Sequence, residues 1–193
     1  GNLRAAIGIL AALCSIYVVS HFYRVSNGVI APNLMSELDL SQEAMGTLTG
    51  AFFITFAATQ IPVGIMLDRL GTRYTIPVMM TFAVVGSLIF AAASGMAGLT
   101  AGRMLMGLGC SCVYVGALAV ASRWFQTRFF ATVAGVLVAA GNAGNLLATQ
   151  PLAEVVAWVG WRNTFIGMAA IDAAGAAVVL LAVRDAPPGH PFH

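Results

Sequence analysis

The sequence predicts an all-α membrane protein: six transmembrane helices arranged as two inverted three-helix repeats. Three observations lead there. Of 193 residues, 60% are hydrophobic and only 8% are charged, whereas an ordinary soluble domain is about 45–50% apolar and about 25% charged. Six continuous apolar runs each reach the ~20 residues that a helix needs to cross ~30 Å of hydrocarbon. The charges between those runs sort by side.

The first run extends from about Ala5 to Ala31, and the second from Ala44 to Leu67, followed by a glycine- and arginine-bearing turn. The third spans Tyr74 to Ser94 and the fourth Gly98 to Ser122. The fifth spans Phe130 to Pro151 and the sixth Trp161 to Val183. Lipid offers no partner to unpaired backbone groups, so continuous runs of this length must be helices. The bundle is expected over residues 1–185, with residues 186–193 opening a cytoplasmic linker. The first run is too long for a secretory signal and no A-x-A-like site follows it. Gly1 in place of Met suggests a trimmed start.

Arg4, Arg69, Arg73, Arg123, Arg128 and Arg184 fall on one side of the spans. The other side holds Arg162 with Glu37, Asp39, Glu43 and Glu154. The positive-inside rule then places both termini in the cytoplasm. Trp124, Trp158 and Trp161 lie near span ends, where amphipathic rings settle. All nine basic residues are arginine, which with abundant alanine suits a GC-rich bacterial genome and hence a bacterial inner membrane.

A weak internal repeat is visible. Ala58-Thr59-Gln60-Ile61-Pro62 precedes Gly71-Thr72-Arg73, and Ala148-Thr149-Gln150-Pro151 precedes Gly160-Trp161-Arg162. The proline-to-glycine separation is the same in both. One turn is cytoplasmic and the other external, so two three-helix units would be inverted copies, a transporter trait. Chance likeness in an Ala/Gly-rich sequence would produce the same pattern.

The composition excludes a typical cytosolic enzyme, a nucleic-acid binder and a disordered chain. Cys14, Cys110 and Cys112 lie in apolar runs, an odd set with neither a disulfide framework nor metal-ligand spacing. No nucleotide, nucleophile-elbow or metal signature is present, so neither catalysis nor a cofactor is expected.

The turn Gly64-Ile65-Met66-Leu67-Asp68-Arg69-Leu70-Gly71-Thr72-Arg73 resembles the loop signature G-x-x-x-D-R-x-G-R-R of the major facilitator superfamily. Gly64, Asp68, Arg69, Gly71 and Arg73 coincide with it; Thr72 departs. Gly64 suits close helix approach, Gly71 a tight turn, and Asp68 a helix N-terminus. Arg103-Met104-Leu105-Met106-Gly107-Leu108-Gly109 resembles the family's R-x-x-x-G-x-G element. Tyr23-Arg24-Val25-Ser26, Ala31-Pro32 and Leu38-Asp39-Leu40-Ser41 are similar to the anion:cation symporter branch. Cys110 and Ser111 stand where that branch often carries a Glu. The resemblance covers the chain but only six of the family's usual twelve spans. It therefore implies an amino-terminal half, completed by a second six-helix half or a second copy, in which the Asp68 loop braces the cytoplasmic gate.

Ionisable groups at membrane depth are costly and are functional candidates by default. Tyr17, His21, Arg24 and Gly28 share one helix face. A guanidinium suits a carboxylate or phosphate, and His21 titrates near neutral pH and could carry a proton. Arg24 could instead snorkel to the interface, and His21 could simply pack. Arg103 heads a face with Gly107, Cys110 and Tyr114; Arg103 is expected in a coupling or a structural role, and Tyr114 among the substrate-binding residues with Tyr17, His21 and Arg24. Asp172, the acid deepest in an apolar run, could likewise couple or pack. Asn142 and Asn145 share a face of the fifth span, to bond substrate or to join helices. Gly46–Gly50 and Gly98–Gly102 have small-residue packing spacing.

The expected function is secondary active transport of a small organic anion, driven by a proton or sodium gradient. A proton-coupled exporter, or a non-transporting structural or sensory module derived from such a protein, would share these features.

Overall fold

The computed structural model describes residues 2–188. Residues 189–193, most of the expected linker, lie outside them. The described residues form nine helices: α1 (Asn2–Leu38), α2 (Gln42–Ala58), α3 (Gln60–Leu70), α4 (Thr72–Ala92), α5 (Met96–Cys110), α6 (Val113–Trp124), α7 (Thr127–Leu147), α8 (Gln150–Val159) and α9 (Trp161–Ala182). No strand occurs among them. Five spans are long and apolar enough to cross a membrane, and six if the bent α2–α3 pair is one crossing.

Three expected spans are interrupted helices, and two of the breaks have the same cause. Pro62 has no N–H to give the carbonyl four residues back, on Ala58, and α2 ends there. The chain bends by 45° before α3 continues. Pro151 likewise stands four residues after Leu147, where α7 ends, and α8 carries the helix on to Val159 rather than stopping at Pro151. In the fourth span the break falls at Ser111-Cys112 without a proline. There the Ser111 hydroxyl donates to the Leu108 carbonyl at 2.7 Å, competing with the backbone ladder.

The first span runs past its expected end. Helix α1 has 37 residues and is about 55 Å long at 1.5 Å per residue. Pro32 sits within it, and its last turn is fastened by tertiary bonds through Glu37. After α1, Asp39 takes a positive φ of 51°, and Ser41 caps α2 by accepting from the Ala44 N–H at 3.1 Å.

Helix α4 lies at the centre, packed on α5 and α9, while α2 covers α5 and α1 covers α7 and α9. The α4–α5 contact is backbone-close: a Cβ on Gly86 would stand 2.7 Å from the Gly102 carbonyl, and one on Gly102 equally near the Gly86 carbonyl. Gly98 meets Ala93, as small-residue packing anticipates. Gly46 and Gly50 do not follow it, since a Cβ on either would meet nothing within 4 Å. Phe90 packs between Trp161 and Phe165, with ring centroids at 5.7 and 4.7 Å.

The internal repeat is legible in the backbone. Gly71 and Gly160 precede α4 and α9 with matching dihedrals, φ 77° and ψ 170° against φ 82° and ψ 156°. Each following arginine clamps the far end of the other helix. Arg73 donates from Nε to the Leu180 carbonyl of α9 at 2.9 Å. Arg162 donates from Nη1 to the Ala91 and Ala93 carbonyls at the end of α4, both at 2.7 Å. An acid fixes each turn in turn. Asp185 accepts from the Thr72 and Arg73 backbone N–H groups, and Glu37 accepts from Trp161 Nε1 at 2.6 Å and from Arg162 Nη2 at 3.0 Å. With the bent α2–α3 pair as one crossing, each unit has three, and the second unit stands upside down relative to the first. The same contacts gather Arg73, Trp124 and Arg184 at one end of the bundle and Glu37 and Arg162 at the other.

Large apolar side chains remain uncovered, including Trp158 at 89%, Leu181 at 80% and Ile61 at 78% exposure. A water-soluble surface does not carry such a band; a lipid-facing one does.

Candidate functional site

The polar stripe of α1 opens progressively along the helix: Tyr17 and His21 are buried, Arg24 is half-buried and Gly28 is exposed. Four of the residues singled out from sequence form one cluster. The Tyr17 ring stacks on Tyr114 of α6 with centroids 5.3 Å apart and meets His21 edge-on at 4.5 Å. His21 Nδ1 lies 2.9 Å from Asn145 Oδ1 of α7. An amide oxygen only accepts, so Nδ1 donates in this pair; Nε2 is buried and unpartnered among the described residues.

Glycine makes this approach possible. A Cβ on Gly141 would stand 2.7 Å from His21 Nε2 and 2.8 Å from Tyr17, and one on Gly144 2.6 Å from the Val18 carbonyl. Helix α7 therefore lies against α1 at the height of His21. Asn142, also expected here, is exposed and makes no hydrogen bond among the described residues.

Arg24 faces α2. Its guanidinium carbon sits 4.9 Å from the Phe56 ring centroid and 6.0 Å from that of Phe53, and its buried Nε has no partner among the described residues. A cation held over aromatic faces, with donors to spare, is ready for an anion. Asn27, one turn further, was not singled out from sequence; it is buried and donates to Thr49 Oγ1 at 2.7 Å and to the Met45 carbonyl at 3.3 Å, tying α1 to α2. An apolar-face Asn gives no periodic signal that would mark it.

Arg103 is fully buried. It donates from Nη1 to the Tyr23 carbonyl at 2.9 Å, and its guanidinium carbon lies 4.8 Å from the Phe52 centroid. It thus bonds backbone of α1 beneath the cluster, while one terminal nitrogen stays unpartnered. Gly107 and Gly109 of the same element are spacers: a Cβ on Gly107 would strike the Phe52 carbonyl of α2 at 2.2 Å, and one on Gly109 would lie 2.6 Å from Ala83 of α4. Asp172 is fully buried, and neither carboxyl oxygen has a hydrogen-bond partner among the described residues. The Tyr23 and Ser20 side chains are buried as well.

The gate-motif residues divide. Gly71 is buried and needs its positive φ. Asp68 and Arg69 are exposed, and the acid on the α4 N-terminus is Asp185, not Asp68. Gly64 meets nothing within 4 Å, so close approach by a helix of this bundle is not its role. Asp185 escaped sequence reading because it lies more than a hundred positions from its partners and follows the last apolar run.

The model of the Major Facilitator Superfamily matches residues 13–193. A probable sulfoacetate transporter of Cupriavidus necator is 24% identical over 94% of this chain and 42% of its own length. A putative tartrate transporter of Agrobacterium vitis is 27% identical over 89% of this chain and 41% of its own. Among solved structures, an inward-facing, unoccupied bacterial homologue of the human lysosomal transporter Spinster superposes with a TM-score of 0.84 at 19% identity, over 96% of this chain and 44% of that one. The chain spans about two-fifths of the length of these relatives. A matched family model over nearly the whole chain, on a helical bundle with the repeated turns and clamps described above, means that this chain belongs to the Major Facilitator Superfamily.

Proposed function

We propose that the chain is the six-helix half of a secondary transporter that carries a small organic anion by alternating access. The single observation that carries this reading is Arg24. Its guanidinium is seated on two phenyl rings with Nε unpaired, at the open edge of the Tyr17–His21–Tyr114–Asn145 cluster. The relatives named for sulfoacetate and tartrate agree with an anionic solute.

A second half, or a second copy, completes the crevice. Gly28, Gly46, Gly50 and Gly64 all face open space, and the exposed apolar side chains of α2, α3 and α7 flank them. That surface suits close apposition of further helices. Asn142 on α7 would then face the crevice and meet substrate. The arginine-rich end lies in the cytoplasm, so Asp68 and Arg69 border the inner gate, while Arg73 clamps that turn to α9.

Coupling to a proton or sodium gradient would use groups kept out of water. Asp172 with unpartnered oxygens, and His21 with its free Nε2, are the candidates. Arg103 acts as a backbone tie that positions α1.

The test is uptake of labelled tartrate and sulfoacetate into proteoliposomes under an imposed proton or sodium gradient. Gradient-driven uptake that falls at least tenfold in Arg24→Lys supports the reading. Uptake kinetics unchanged by Arg24→Lys remove Arg24 from the site.

A further inference from the structure

We infer that the outer seam between α4 and α9 is a binding site for one anionic phospholipid, with its headgroup phosphate at Arg73 and Arg184 and an acyl chain in the groove below. Two cavities align along this seam. At the arginine-rich end a cavity of about 520 Å³ is lined by Arg73, Tyr74, Arg184, Asp185, Ala186 and Pro188. Deeper along the same two helices a groove of about 240 Å³ is lined by Pro77, Thr81 and Val84 of α4 and by Ala173, Ala177 and Leu180, among others, of α9.

The residues run in register. Arg73, Pro77, Thr81 and Val84 follow one face of α4, and Ala173, Ala177 and Leu180 follow the facing side of α9; Arg184, two residues past the end of α9, lines the cavity at the mouth with Arg73. From Arg73 to Val84 the helix rises about 16 Å, close to the ~15 Å of hydrocarbon in one leaflet. The groove exists because α9 presents mostly alanines there, Ala173, Ala176 and Ala177 beside Leu180, and Pro77 brings no long side chain.

The charge at its mouth suits a phosphate. Arg73 spends Nε on the Leu180 carbonyl, and its terminal nitrogens make no hydrogen bond among the described residues. Arg184 is exposed. Tyr74, 52% exposed, offers a hydroxyl at the same level. The one acid there, Asp185, is buried and already bonded to the N-terminal amides of α4, so the mouth carries two cations against one engaged anion. A basic pocket over an intramembrane groove suits an anionic lipid of the cytoplasmic leaflet. A free phosphate would use the arginines and leave the groove without an occupant, which is why the lipid is the better match. Val78 and Leu181 flank the seam, 50% and 80% exposed, so it opens toward lipid.

The experiment is native mass spectrometry of the purified chain in detergent, titrated with phosphatidylglycerol or with phosphatidylcholine of the same acyl composition. Phosphatidylglycerol should be retained preferentially. Arg184→Gln, which removes an exposed side chain, should lower that retention about fivefold, the worth of one basic group near an anionic headgroup. Ala177→Phe, which fills the groove, should lower it without changing charge; if that variant loses helical circular dichroism, Thr81→Phe narrows the same groove from an exposed position. Equal retention of the two lipids, or an unchanged Arg184→Gln titration, overturns the proposal. Glycerol phosphate competing with phosphatidylglycerol, together with no effect of either groove variant, overturns it in favour of a free phosphate site.

Discussion

Replacing Gly71 with alanine separates two costs that the structure stacks at one position. The first is conformational: at φ 77° and ψ 170° a residue with a Cβ is strained by about 1–3 kcal/mol. The second is steric and electrostatic. The new Cβ would stand 2.5 Å from Asp185 Oδ2 and 2.6 Å from its Cγ, so the carboxylate must leave the Thr72 and Arg73 amides. Losing a side-chain cap of a helix N-terminus costs about 0.5–2 kcal/mol, and the two together reach about 1.5–5 kcal/mol. Gly160 supplies the internal control. Its φ is 82° but nothing lies within 4 Å of its Cβ, so Gly160→Ala should cost the strain alone, about 1–3 kcal/mol. The assay is thermal unfolding in detergent of Gly71→Ala, Asp185→Ala, the double variant and Gly160→Ala. With Asp185 already truncated, Gly71→Ala should fall back to the Gly160→Ala cost, which leaves a coupling of about 0.5–2 kcal/mol. Additive costs in the cycle, or a Gly71→Ala protein as stable as the parent, would refute the reasoning.

Other perturbations probe the helix contacts and the polar groups. Gly107→Ala should push α2 from α5, since its Cβ would stand 2.2 Å from the Phe52 carbonyl; overpacking of this kind costs about 1–3 kcal/mol and is read as a lowered unfolding midpoint. Arg103→Gln gives up the 2.9 Å bond to the Tyr23 carbonyl and should destabilise the bundle by about 1.5–3 kcal/mol, with unfolding measured in the same way; a stable variant would show that Arg103 is no tie. Asp172→Asn should leave the fold intact, because neither carboxyl oxygen holds a partner among the described residues. If Asp172 carries the coupling proton, uptake by that variant should lose its response to an imposed pH gradient, and retained stimulation would acquit it.

Much of this architecture is legible because lipid enforces it. The apolar runs had to be helices, and the sorted arginines had to gather at one end; Arg73 and Arg184 share a cavity there. The short Ala-Thr-Gln and Gly-x-Arg matches marked the paired turns at Gly71 and Gly160, but the second and fifth spans read as continuous in the sequence, and the breaks before Pro62 and Pro151 are findings of the structure. The Tyr17–His21 face was visible because helical spacing alone determines it. What stayed hidden depends on distant pairing. Asp185 reaches Thr72 and Glu37 reaches Arg162 across more than a hundred positions, and no periodicity encodes that. Gly46 and Gly50 carry packing spacing yet face open space, because spacing tells which residues share a face but not what lies opposite. The break at Ser111-Cys112 has no proline to announce it.

The claim on which the function rests is that Arg24 holds an anion. Its most direct test is a thermal-shift titration of organic anions and of matched neutral analogues on the protein assembled with its second half or second copy, beside the Arg24→Gln variant. A stabilisation that appears with sulfonates or dicarboxylates, is absent with the neutral analogues and disappears in Arg24→Gln is the predicted result. Equal stabilisation of parent and variant by the same anions would contradict it.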